Sequence, residues 1–216
     1  KKTASISVDD QAIKLYVPRK LSERKINDIL DSKKPWIISK IKEQSLLTPK
    51  FPKRYVSGEL FPYLGNKYRL KVSVGKRNSI KLKRGYFNIS ILENRKNSDQ
   101  EIKKILFNWY LDKAKIFLTK KTYTLCKKLG VMPKNIIIKD YKSKWGSCSI
   151  KGDVRYNWRI IMAPKKVVDY LVTHELCHLL EHNHSRNFWN LVANYCSDME
   201  QSRSWLKKFG NDLIDL

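Results

Sequence analysis

The segment Thr173-His174-Glu175-Leu176-Cys177-His178-Leu179-Leu180-Glu181-His182-Asn183-His184-Ser185 holds all four histidines of the chain within eleven residues. Ahead of it, Pro164 opens a run in which Val167, Val168, Leu171, Val172, Leu176, Leu179 and Leu180 recur at helical spacing. That run is apolar enough for a buried central helix rather than a surface one. Unpaired His and Glu on such a helix would be costly, so their presence points to a bound ligand or a water-filled cleft. His174 and His178 are four apart, leave one helix face a turn apart, and can grip a single ion at about 2.0–2.1 Å each. Glu175 projects about 100° around the axis, beside the ion rather than onto it. A carboxylate placed there can take a proton from water that the ion has acidified.

A catalytic zinc asks for a third protein ligand and one open position. His182 continues the series, but it lies about 12 Å along a straight helix from His174, too far to share one ion. It reads as a satisfied or solvent-facing neighbour. His184 follows His178 by six residues, the spacing of the H-E-x-x-H-x-x-G-x-x-H pattern, and reaches the ion only if the helix ends before it. Glu181 stands where that pattern has glycine, so Asn183, which tolerates the left-handed conformation, is expected to supply the turn. Glu200 and Asp198 on the following helix are the competing third ligands, and His184 is favoured over them.

Outward from this segment the composition changes. The chain of 216 residues carries 45 Lys plus Arg against 20 Asp plus Glu, a formal charge of +25. Up to Gly130 there are 32 basic and 11 acidic residues, and beyond it 13 and 9, so the excess lies almost wholly ahead of the histidines. With 42% apolar and 11% aromatic residues, the chain is no disordered basic tail. No apolar run reaches the ~18 residues of a membrane span, and no signal core opens the chain. A cytoplasmic protein without a membrane partner is expected. Four cysteines without a C-x-x-C pair read as reduced thiols.

The first part reads as a hairpin around Asp9-Asp10-Gln11 and a helix from Ser22. A second helical piece starts at Pro35, and a break follows from Thr48 to Lys53. Period-two residues between Tyr55 and Leu92 predict several antiparallel strands, and Ser98 opens a long helix that stops at Gly130. Short strands are predicted at Ile136–Lys139, Trp145–Ser149 and Val154–Ile161. The expected domains are a basic α+β region over 1–97 and a catalytic domain over 98–216.

The segments Lys142-Ser143-Lys144-Trp145-Gly146-Ser147-Cys148-Ser149, Tyr156-Asn157-Trp158-Arg159, the helix through His178, and Asn183-His184-Ser185 with Phe188-Trp189 resemble the YgjP-like metal-dependent hydrolases. These are zincin-type proteins akin to the SprT and WLM metallopeptidases. Upstream, Trp36-Ile37, Gly58-Glu59, Tyr63-Leu64-Gly65 and Trp109-Tyr110 extend the likeness, and Trp205-Leu206 does so downstream. Lys144 departs from it, standing where arginine is expected, and so does Cys196-Ser197-Asp198, where a proline-containing stretch is common. The resemblance implies an α+β, zincin-like fold, Zn2+ held by His174, His178 and His184, and Glu175 as the catalytic carboxylate. Among Arg155, Tyr156 and Asn157, the candidates to stabilise an oxyanion, it singles out Asn157. Phe188, Trp189 and Trp205 read as core.

A zinc metallopeptidase acting on peptides or proteins is the leading expectation. A zinc hydrolase of nucleotide phosphoanhydrides is the alternative, since the basic first part would suit an anionic substrate. A third expectation is a nucleic-acid-associated module, or a protease acting on DNA-bound proteins, binding weakly through the basic N-terminal region.

Overall fold

Two dipeptides set the topology of the larger sheet. Leu64-Gly65 (φ 47° and 85°) and Arg84-Gly85 (φ 53° and 80°) both take positive φ at consecutive residues. That is the two-residue turn whose twist matches antiparallel strands. The first joins β3 (Leu60–Tyr63) to β4 (Asn66–Gly75), and the second joins β5 (Ser79–Lys83) to β6 (Tyr86–Leu92). The computed structural model describes residues 4–8, 12–19, 21–45, 53–92 and 98–213. The turn expected at Asp9-Asp10-Gln11, and the expected break except for Lys53, lie outside the described residues.

The chain forms two compact units, Lys1–Pro52 and Lys53–Leu216. The boundary expected at 97/98 runs through the second. In the first unit, β1 (Ser5–Val8) pairs antiparallel with β2 (Ile13–Tyr16), and α1 spans Glu23–Ser45. The two helical pieces expected around Pro35 are one helix. Residues 31–36 are all exposed, so water can satisfy the carbonyl that the missing N–H leaves unpaired.

In the second unit the strand order is β3-β4-β6-β5, with β4 and β6 parallel, so the all-antiparallel expectation is corrected. The cause is burial. Phe87 and Ile89 make β6 the most buried strand of the later hairpin, and it takes the interior place. β5, where exposed Lys81 and Lys83 alternate with half-buried Ile80 and Leu82, is left at the edge.

The inner face of this sheet packs on α2 (Ser98–Leu129), whose Ile102, Leu106, Tyr110, Ala114, Leu118, Thr122 and Leu125 form one buried stripe. Trp109 meets Tyr63 and Phe87, each at 4.9 Å between ring centres. The Tyr110 hydroxyl donates to the Pro62 carbonyl at 2.6 Å. Farther along α2, the Thr122 hydroxyl donates to that of Tyr156 at 3.1 Å, so one helix backs both the sheet and the histidine-bearing half.

That half contains β7 (Asn135–Lys139), β8 (Gly146–Cys148) and β9 (Asp153–Asn157) in the order β7-β9-β8. The strand expected to run to Ile161 stops at Asn157, and Trp158–Met162 form a 3-10 helix. Trp158, Ile160, Ile161 and Met162 are all buried, which an alternating strand with one wet face would not allow. Then come α3 (Lys165–Cys177), α4 (Arg186–Tyr195) and α5 (Met199–Phe209). α3 is buried nearly all round, as its composition predicts. The Leu64-Gly65 turn packs on its start, where a β-carbon at Gly65 would come within 2.9 Å of the Pro164 Cα. The fold is mixed α+β, and no helix among the described residues is long and apolar enough to cross a membrane.

Candidate metal centre

α3 ends at Cys177, and the chain then reverses in a tight series of turns. The N–H groups of Leu179, Leu180 and Glu181 donate to the carbonyls of Leu176 and Cys177. Asn183 does not take positive φ, so the left-handed turn expected there is absent. Its side-chain oxygen instead accepts the Ser185 N–H at 3.2 Å, and the Ser185 hydroxyl caps α4 by accepting the Phe188 N–H. An early helix end and a prompt restart carry His184 back over α3.

His184 Nε2 lies 3.1 Å from His174 Nε2, and one ring nitrogen from each of His174, His178 and His184 falls within 4.8 Å of the others. Tetrahedral ligands at about 2.0–2.1 Å from an ion stand about 3.3 Å apart, so the cluster has the dimensions of a metal site. His178 Nδ1 meets the Glu181 carbonyl at 3.0 Å, which makes Nδ1 the donor and leaves Nε2 its lone pair for an ion. Burial drives the His174 pKa down to about 3, helped by the neighbouring imidazoles, and burial lowers that of His178 too. Both shifts favour the neutral imidazole, the form that ligates. The donor set fits a divalent ion such as zinc.

Phe188 and Trp189 hold these rings in place. Phe188 is fully buried, stacks on His178 at 4.4 Å and meets His174 edge-on at 4.9 Å. Trp189 stacks on His184 at 5.4 Å, and the Arg203 guanidinium lies over the Trp189 ring, 4.6 Å from its centre. Phe188 is core as expected, and part of the site as well. His182 is exposed and outside the cluster. Asp198 pairs with Lys166 at 3.0 Å, and neither it nor Glu200 joins the three imidazoles.

Residues 2–209 match the sequence profile of the YgjP-like family, described as YgjP-like, metallopeptidase domain. The chain belongs to that family. It is thus a metallopeptidase-family protein, which implies a metal ion and peptide or protein substrates; nucleotides and nucleic acids do not follow from it. No curated protein matches the chain. Among solved structures, the metallopeptidase zymogen abylysin of Pyrococcus abyssi is 21% identical, over 42% of this chain and 94% of that one, with a TM-score of 0.36. The zymogen of Methanocaldococcus jannaschii jannalysin is 25% identical, over 40% and 93%, with a TM-score of 0.35.

In this YgjP-like chain Glu175 is only 4% exposed, and burial pushes its carboxyl up to about 8 against the opposing charge of Lys144. Its side chain lies on the backbone of Gly146 in β8. A β-carbon at Gly146 would sit 2.7 Å from both Cγ and Cδ of Glu175. Glycine is required there by closeness rather than by turn conformation, a contact between distant segments that no local pattern in Trp145-Gly146-Ser147 announces. Gly146→Ala is expected to displace the carboxylate and destabilise the fold by about 1–3 kcal/mol. Activity should fall with metal content unchanged, as a paired metal analysis and peptide assay would register.

Asn157 is corrected from oxyanion donor to structural clamp. It is 1% exposed, and its amide group donates to the Tyr141 carbonyl at 2.8 Å and the Lys144 carbonyl at 3.2 Å. Its oxygen accepts the Arg159 N–H, so both amide hydrogens are spent inside the protein. What Asn157 does is pin the 141–145 loop, and with it Trp145-Gly146, against β9. Asn157→Ala would strand two carbonyls at about 1–3 kcal/mol each, visible as a lowered Tm. Hydrolysis at a temperature where the variant is folded should drop less than in a Glu175 variant.

Proposed function

We propose that this chain is a zinc-dependent peptide hydrolase in which His174, His178 and His184 hold the ion and Glu175 moves the proton. The observation that carries the reading is the convergence of three imidazoles from a helix and the loop after it, with a buried carboxylate one residue from the first. When bound, zinc supplies Lewis acidity to a carbonyl and to water. Glu175 then accepts the water proton and returns it to the leaving nitrogen. Its burial suits this exchange, because a carboxyl raised toward neutral pH can both take and give a proton.

β8 provides a place for an extended peptide. Among the described residues it is an edge strand, bonded to β9 alone. The Trp145 carbonyl accepts the Asn157 N–H, and the Ser149 N–H donates to the Asp153 carbonyl. By alternation, Gly146 and Cys148 turn their N–H and C=O groups to the open edge. A substrate strand added there would run its backbone past Glu175, with affinity from main-chain hydrogen bonds.

The test is a peptide library incubated with zinc-loaded protein and read by mass spectrometry. Chelator-sensitive cleavage at defined bonds is expected. Intact peptides alongside Glu175-dependent hydrolysis of nucleoside triphosphates would replace this reading with the phosphoanhydride one.

A further inference from the structure

The sheet β3-β4-β6-β5 buries one face on α2 and leaves the other to solvent, and the two faces differ completely in chemistry. From Leu60 to Leu92 the chain has eight Lys or Arg and not one Asp or Glu. Register puts five of those cations on the open face. Arg69, Tyr86 and Lys83 form one rung across β4, β6 and β5, and Lys71, Asn88 and Lys81 form the next. The third rung is serine on all three strands, and Lys67 stands beside the first, two residues before Arg69. All five cations are exposed, none is in an ion pair among the described residues, and Tyr86 at the centre of its rung is 42% exposed.

Lysines on edge strand β5 have an ordinary explanation, protection against pairing with another sheet. That explanation does not extend to Lys67, Arg69 and Lys71, which are on an interior strand. Cations two residues apart along β4 and along β5, and about 10 Å apart across β6, repel one another unless an anion lies across them. An aromatic ring set between cations, flanked by small polar side chains, is how an open sheet receives a single-stranded nucleic acid. Phosphates meet the cations, a base stacks on the ring, and serine hydroxyls reach sugar and base edges, while the Asn88 amide donates to the carbonyls of Lys81, Lys83 and Tyr86 and steadies the strands. An anionic membrane would meet the same cations but has no use for the polar rungs between them.

We propose that this face binds single-stranded nucleic acid, independently of the metal centre. The experiment is fluorescence anisotropy of a labelled 20-nucleotide single strand with the full chain at 50 and 200 mM salt. Five phosphate contacts at about 0.7 each give a salt slope of about −3.5, hence about 100-fold weaker binding at the higher salt. Lys71→Ser/Lys81→Ser should lower the slope by about 1.4, whereas Lys115→Ser/Lys120→Ser, the same charge removed from the exposed side of α2, should leave it unchanged. Tyr86→Ala should cost about 10-fold and Tyr86→Phe should restore binding, because stacking needs the ring and not the hydroxyl. Equal losses in the two double variants would reduce the attraction to net charge and overturn the proposal. So would an affinity indifferent to Tyr86→Ala, or tighter binding to phosphatidylserine–phosphatidylcholine vesicles than to the oligonucleotide. Circular dichroism melts of every variant separate these results from misfolding.

Discussion

Glu175→Gln in the zinc-loaded protein is expected to lower kcat for peptide hydrolysis by about 10²–10⁴-fold, the range for loss of a positioned proton-transfer group. The substitution keeps volume and shape in a place that is 4% exposed and pressed against Gly146, so the fold should survive it. What is lost is the ability to take a proton from water and return it to the leaving nitrogen. KM should change little, because the carboxylate is not asked to bind the peptide, and metal content should stay at one ion per chain, because it is not a ligand. Steady-state kinetics with metal analysis on the same samples checks all three. Undiminished kcat would move the proton-transfer role away from Glu175, and loss of metal would make it a ligand.

The second large effect is expected from His184→Ala. His184 is exposed and sits on the loop after α3, so truncating it removes a ligand without opening a core cavity. The metal-free variant should therefore melt near the metal-free native protein. Zinc affinity should fall by more than the ~10–100-fold typical of losing an outer partner of a ligand, and hydrolysis should fall with it. Glu200→Ala and Asp198→Ala form the comparison. Both should keep full zinc affinity, and Asp198→Ala should lose only an ion pair with Lys166 worth about 0–1 kcal/mol. Competition against a chelator of known affinity measures all of these. A Glu200 variant that loses zinc while the His184 variant retains it would exchange the third ligand.

What could be read from sequence here divides along local and non-local lines. His174 and His178 were legible because helical period alone puts them on one face, and the apolar run around them fixed α3 as a buried helix. The direction of His184 was legible only as a requirement that the helix end. How it ends was not, because Asn183 offers two uses for one side chain. It serves as a hydrogen-bond acceptor for Ser185 rather than as a left-handed hinge. Asn157 shows the same limit: an amide looks alike in sequence whether its hydrogens face a substrate or two backbone carbonyls. The parallel pairing of β4 with β6 was hidden because alternation specifies which face of a strand is wet and not which strand lies beside it. Gly146 was quoted as part of a motif, yet its contact with Glu175 joins residues 29 apart in the chain and exists only once β8 and α3 are assembled.

The charge likewise changes meaning once placed. Near the histidines it is close to balanced, and upstream a share of it is gathered on one sheet face where strand register, not composition, sets the pattern. The metal centre and that face are separate proposals with separate tests.

The most direct test of the central claim is peptide hydrolysis by the native chain, stripped with a chelator and then titrated with zinc. Activity should vanish on stripping and return linearly until one zinc per chain is bound, and then level off. Hydrolysis that persists in the stripped protein, or that needs more than one equivalent, would contradict a single zinc held by His174, His178 and His184.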